Sequence, residues 1–150
     1  MAPRKKATWL LIGDGAKAQI YAINAIPLRI KKVEGGAFRG SRKTTPVIEG
    51  AMSEVSGQDA GGAPHAIERH TDAHQRHEDK FVERVADAID MAAAQGKFQD
   101  IIVVFPPKAL AHFRKIVSAG VRKKIKKQIR SEWTHLRIPE IEKHLKDRLP

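Results

Sequence analysis

No cysteine occurs in the 150 residues, which excludes disulfide scaffolds, thiolate zinc sites, iron–sulfur clusters and cysteine nucleophiles together. Aromatic residues make up only 5% of the chain, with one tyrosine and two tryptophans. Binding of single strands by base stacking, which needs successive exposed rings along a groove, has little to build on. Long apolar runs are also missing: none approaches the roughly 18 residues of a membrane span, and Met1–Lys6 is too short and too polar to open a secretory signal. These absences lead us to expect a cytoplasmic protein without stable membrane insertion or lipid anchor. Its stability must come from packing, and a chain of this length is a natural single domain, residues 1–150, with a sizeable core.

Acidic residues are in deficit, 17 against 28 Lys plus Arg, giving a formal net charge of +11. The deficit is uneven. Residues 1–45 hold 10 basic and 2 acidic side chains, residues 46–105 hold 5 and 11, and residues 106–150 hold 13 and 4. Two basic ends therefore flank an acidic middle. Lys and Arg that neutralise phosphates release condensed counterions, and such a distribution points to an anionic partner, RNA or the ribosome first. A solvated charged face and an anionic lipid surface are the competing uses of the same charge.

Thr8–Ile12 is short, apolar and β-rich, and Asp14-Gly15 reads as the tip of a hairpin leading into a second strand at Ala18–Ile23. Leu28–Val33 alternates and makes a third strand. From 34 to about 66 the chain turns glycine-rich and is expected to be a long loop, a length that in compact domains is usually functional. A helix follows from about Ile67 to Gln95, with Phe81, Val82, Val85, Ile89, Ala92 and Ala93 as its apolar stripe and Gly96 as its cap. Ile101–Phe105 is continuously apolar, as a strand covered on both faces should be, and Pro106-Pro107 ends it. Leu110, Phe113, Ile116 and Val117 mark a second helix. Val121–Thr134 admits either period; the reading taken is a short helix to about Lys127 and a strand from about Gln128 to Thr134. Pro139 opens a last helix carrying Ile141, Leu145 and Leu149. The class is α/β: a mixed β-sheet of about five strands with helices on its faces.

Leu11-Ile12-Gly13-Asp14-Gly15-Ala16-Lys17-Ala18, the segment Gly96–Pro107, and Thr134-His135-Leu136 followed by Ile141 and His144-Leu145 resemble the bacterial host attachment proteins over nearly the whole chain. The resemblance implies a ribonuclease H-like fold similar to the middle domain of archaeal and eukaryotic peptide-chain release factors. In that domain a Gly-Gly-Gln tripeptide sits between the third strand and the first long helix. Here the same place holds Gly61-Gly62-Ala63-Pro64, without the glutamine, so peptide release is not implied.

The densest basic run is Arg122, Lys123, Lys124, Lys126, Lys127 and Arg130, which Ile125 and Ile129 can anchor while the charges face outward. With Arg39, Arg42 and Lys43 and the loop glycines Gly61 and Gly62, it forms the expected nucleic-acid surface, provided folding gathers both basic ends onto one face. His70, His74 and His77 fall at helical spacing and could converge on a metal, but a solvated histidine face is the simpler reading and no metal or cofactor is expected. Gly13-x-Gly15 lacks the third glycine and the helix of a dinucleotide fingerprint. Asp14 alone among strand residues suits a nuclease acid, which would need several carboxylates, and no catalytic constellation is complete. The leading expectation is thus a non-catalytic, RNA- or ribosome-associated member of the host attachment family. A protein that directly binds an acidic partner or surface polymer is the first alternative, and a metal-dependent hydrolase the second.

Overall fold

The computed structural model describes residues 7–40 and 63–148. Five strands form one sheet: β1 (Thr8–Gly13), β2 (Lys17–Ala25), β3 (Leu28–Arg39), β4 (Asp100–Phe105) and β5 (Ile125–Arg130), in the order β3-β2-β1-β4-β5. The first three make an antiparallel meander, and β4 runs parallel to both β1 and β5. Four helices are described: α1 (Ala63–Ala94), α2 (Pro107–Ile116), α3 (Ala119–Lys124) and α4 (Ile138–Arg148).

Each central strand has five consecutive buried residues, Trp9–Gly13 in β1 and Ile101–Phe105 in β4. Alternate side chains must then enter two different cores. Trp9, Leu11, Ile101, Val103 and Phe105 join α1, α2 and α3 on one face. Leu10, Ile12, Ile102 and Val104 join Tyr21, Ile30, Ile129 and Trp133 under α4 on the other. The stripe of α1 is buried at Phe81, Val82, Val85, Ala86, Ile89 and Ala92, one face of a 3.6-residue period. That helix stops where expected: Gly96 has φ +70°, its N–H donates to the Ala93 carbonyl, and the Lys97 N–H donates to that of Ala92. Pro107 opens α2 with a fixed φ, and Phe113 brings its ring to 5.2 Å from that of Phe105. Ser118 caps α3 through its Oγ, which accepts from the Val121 N–H at 3.1 Å. Glu140 reaches back to the Arg137 N–H at the start of α4, and Glu142 accepts from the Ile30 N–H at 2.9 Å, tying α4 to β3.

Three expectations are corrected. The loop expected over 34–66 is shorter at both ends, because β3 continues to Arg39 and α1 begins at Ala63; residues 41–62 of that loop lie outside the described residues. Glu34-Gly35-Gly36 is instead an irregularity within the strand. Tyr21 pairs with Lys32 and Gln19 with Ala37, so the single residue Ile20 faces Val33–Gly36, and Gly35 adopts φ +74° to absorb the excess. The last strand is Ile125–Arg130, not Gln128–Thr134, and the preceding helix ends at Lys124 rather than Lys127. Ile101 pairs with Ile125 but Ile102 pairs with Lys127, leaving Lys126 as an extra residue. The bulge turns Ile125 toward the three-helix face and Ile129 toward α4, although a regular strand would put both on the same side.

Two outcomes follow from the packing. Phe113→Ala, which empties the contact between α2 and β4, should lower unfolding free energy by about 3–5 kcal/mol in urea titrations. Burial raises the pKa of Tyr21 above its ordinary value, so the folded chain holds that proton more tightly than the unfolded one. The effect is absent at neutral pH and lowers stability as pH climbs above about 10. Tyr21→Phe should therefore lose less stability than the parent over that alkaline range in the same titration.

Candidate nucleic-acid interface

On α3 and β5 the alternation of anchors and charges is set by packing. Val121 and Ile129 are buried and Ile125 is partly so, while Arg122, Lys123, Lys126 and Arg130 are exposed and Lys124 and Lys127 half-buried. Since β5 pairs with β4 on one side only, its other side is the rim of the sheet. The bulge at Lys126 makes the charges wrap that rim. Lys127, opposite Ile102, sits on the α4 side, where its Nζ donates to the Arg148 carbonyl at 2.6 Å; Arg130, opposite Phe105, sits on the three-helix side. Among the described residues none of the six basic side chains is engaged in an ion pair. Their charge is left to the solvent.

Other expected members are elsewhere. Arg39 ends β3, the opposite rim, four strand spacings or about 19 Å from β5. There its carbonyl accepts from the Arg84 guanidinium, which also stands over the Phe81 ring at 5.3 Å. Arg42, Lys43, Gly61 and Gly62 lie outside the described residues. The expectation of one shared basic face is therefore corrected for Arg39: the meander places β3 at one edge and the parallel crossovers place β5 at the other. Arg114 and Lys115 in the last turn of α2 are exposed and were not singled out in the sequence, although their places beside buried Phe113 on a 3.6-residue period carried the signal. Trp133 is buried, with His144 stacked on it at 5.4 Å and Arg148 over its ring at 5.8 Å, and so offers no free face to a base.

At the carboxyl ends of the parallel strands, where open α/β sheets commonly hold ligands, the chain closes over itself. Ser131 donates its N–H to the Phe105 carbonyl, and Thr134 Oγ1 donates to Asp14 Oδ2 at 3.0 Å. The other oxygen of Asp14 accepts from the Ala16 and Lys17 N–H groups at 2.7 and 2.8 Å. Asp14 thus organises the hairpin tip and pins it to the segment after β5. Beside it, the Glu78 carboxylate lies where a Cβ on Gly15 would stand, and its other contact is His74 Nε2 at 3.3 Å. His77 is exposed, and His70 belongs to α1 outside its described side chains. Among the described residues no group of three His, Asp or Glu side chains is arranged to hold a metal ion.

Removing the carboxylate of Asp14 leaves two turn N–H groups and the Thr134 hydroxyl without their acceptor. Asp14→Ala should cost about 1–2 kcal/mol of stability by chemical denaturation, and Thr134→Val distinctly less, since it removes only the cross-link.

A family model described as a protein required for attachment to host cells matches residues 9–145, from the first buried residue of β1 to the last of α4. No curated protein matches the chain. The match spans all five strands and all four described helices apart from their outermost residues, and the chain belongs to the family of proteins required for attachment to host cells.

Proposed function

We propose that this host attachment family member is a non-catalytic, cytoplasmic binding protein that associates with structured RNA or the ribosome through α3 and β5, with an indirect part in attachment. One observation carries the reading: Arg122, Lys123, Lys124, Lys126, Lys127 and Arg130 form one continuous run along α3 and the edge strand β5 that it enters, free of ion pairs among the described residues. A run of cations along a rim suits a backbone of regularly spaced phosphates. With Trp9, Trp133, Tyr21, Phe81, Phe98, Phe105 and Phe113 all buried, contact through charge and shape is favoured over base stacking. The mixed sheet with helices on both faces is of the class that the release-factor resemblance implies, which favours the ribosome among RNA partners. Support for a binding rather than a catalytic role comes from the charged groups: no described Asp, Glu, His, Lys or Arg is buried, and Asp14 is committed to the fold.

The family's description favours a second reading, direct contact with an acidic polymer or protein during attachment. It uses the same cations but predicts no preference for RNA over other polyanions.

Ribosome co-sedimentation and filter binding of a structured RNA, between about 50 and 200 mM salt, separate these readings. Binding should fall steeply with salt. The Lys123→Glu, Lys124→Glu, Lys126→Glu triple variant should lose it, with Lys127 spared because it ties β5 to the end of α4. Arg39→Glu, on the other rim, should keep it. Salt-insensitive binding, or a triple variant that sediments like the parent, overturns the proposal; equal competition by RNA and by an acidic polysaccharide favours the second reading.

A further inference from the structure

We propose that the chain carries a second interaction surface, at the amino end of its parallel strands, that docks on an anionic bilayer with Ile26 as a wedge into the headgroup layer. The surface goes beyond the RNA reading and does not rest on it. Thr8 is level with both Ile23 and Asp100, and Ile101 is level with Ile125, so the starts of β1, β4 and β5 form one end of the sheet. The β2–β3 hairpin overshoots that end. Beyond Ile23 it runs three more residues, placing Ile26 about 10 Å past the row at ~3.3 Å per residue.

Ile26 is 94% exposed and Pro27 beside it is exposed too, an apolar point on a protruding turn. The other large hydrophobic left in solvent among the described residues, Met91 at 65%, lies near the end of α1, which closes at the same end of the sheet through its Gly96 cap. Exposed hydrophobics scattered singly need no explanation, but these two share one end with cations. Arg29 flanks the hairpin tip, Lys97 lies in the turn from α1 to β4, and both are exposed; α3, with Arg122 and Lys123, enters β5 at the far side. Asp87 and Asp147 are exposed toward this end, but the other acids here are withdrawn. Asp100 is half-buried, and Asp90 accepts from the Ser118 N–H. An apolar tip standing proud of exposed cations suits a surface that is apolar beneath and anionic on top, the arrangement by which peripheral proteins sit at the depth of lipid headgroups. No described helix is long and apolar enough to cross a membrane, so this contact is superficial.

Sedimentation with lipid vesicles tests the surface, using phosphatidylcholine alone and phosphatidylcholine mixed with phosphatidylglycerol. The parent should bind the anionic vesicles and not the neutral ones. Ile26→Ser should bind them roughly tenfold more weakly, the worth of one apolar side chain leaving the interface, and Lys97→Glu should weaken binding most at low salt. Because Ile26 touches solvent almost throughout, its variant should unfold at the parent's urea midpoint. The proposal is overturned by a parent that ignores anionic vesicles, by equal binding to neutral ones, or by an Ile26→Ser variant that binds as the parent does. It is equally overturned if Ile26→Ser lowers ribosome or RNA binding while leaving vesicle binding intact, since the tip would then be a nucleoprotein contact.

Discussion

A parallel pair of strands, β1 beside β4, lies at the middle of the sheet, and neither can leave a face in water. Each has five residues in succession cut off from solvent, so the chain must supply cover for both sides of the same ribbon. The described helices between β3 and β5 go to one side: α1, α2 and α3 bury Phe81, Val85, Phe113 and Val121 against Trp9, Leu11, Val103 and Phe105. Among the described residues, the other side receives α4 and the segment before it, with Ile141, Leu145 and Trp133. This division explains the otherwise odd demands on the chain's end. The eleven-residue α4 is held at several points: Glu142 on the β3 backbone, Lys127 on its final carbonyl, and His144 and Arg148 over Trp133.

With the centre fixed, the sites available for recognition are what remains. The carboxyl ends of the parallel strands are taken up by the link from Thr134 to Asp14, a contact between residues 120 positions apart that closes the hairpin tip and the last crossover together. Among the described residues, the rims and the opposite end carry exposed cations, and Ile26 and Met91 are exposed toward that end. The proposed binding surfaces are therefore ones that the fold did not need, which is consistent with the lack of any buried charged group among the described residues.

Much of this organisation could be read before the structure, and the failures have physical causes. The continuous apolar run Ile101–Phe105 and the three-and-four spacing from Phe81 to Ala92 identify the central strand and its covering helix because burial alone dictates those patterns. Gly96 and Ser118 mark helix ends through local hydrogen bonding and need no tertiary information. The errors lie where inserted residues, one in β5 and three in β3, change parity. Ile125 and Ile129 face opposite cores because of Lys126, and Glu34-Gly35-Gly36 belongs to a strand because Ile20 spans them. A bulge exists only in relation to the partner strand, so no periodicity within the segment can announce it. The basic run itself was legible residue by residue. What could not be read was that Arg39 would fall on the opposite rim, since strand order is a property of the whole sheet.

Positive charge on an edge strand has a simpler use, which is to stop sheets from pairing edge to edge, and both rims here invite comparison on that ground. On β3 the charges match that use. Arg29, Lys31 and Lys32 lie in the strand itself, a charged residue recurs at Glu34, and α4 adds Glu142 to an open backbone N–H. On β5 the strand contributes Lys126, Lys127 and Arg130, already sufficient for a ladder of six residues that a bulge also interrupts. Arg122, Lys123 and Lys124 belong to a helix and have no unpaired ladder to protect. Edge protection therefore accounts for the strand and leaves the helix unexplained. A polyanion following the rim accounts for both, because it requires only that the cations be successive and open to solvent, whichever secondary structure presents them.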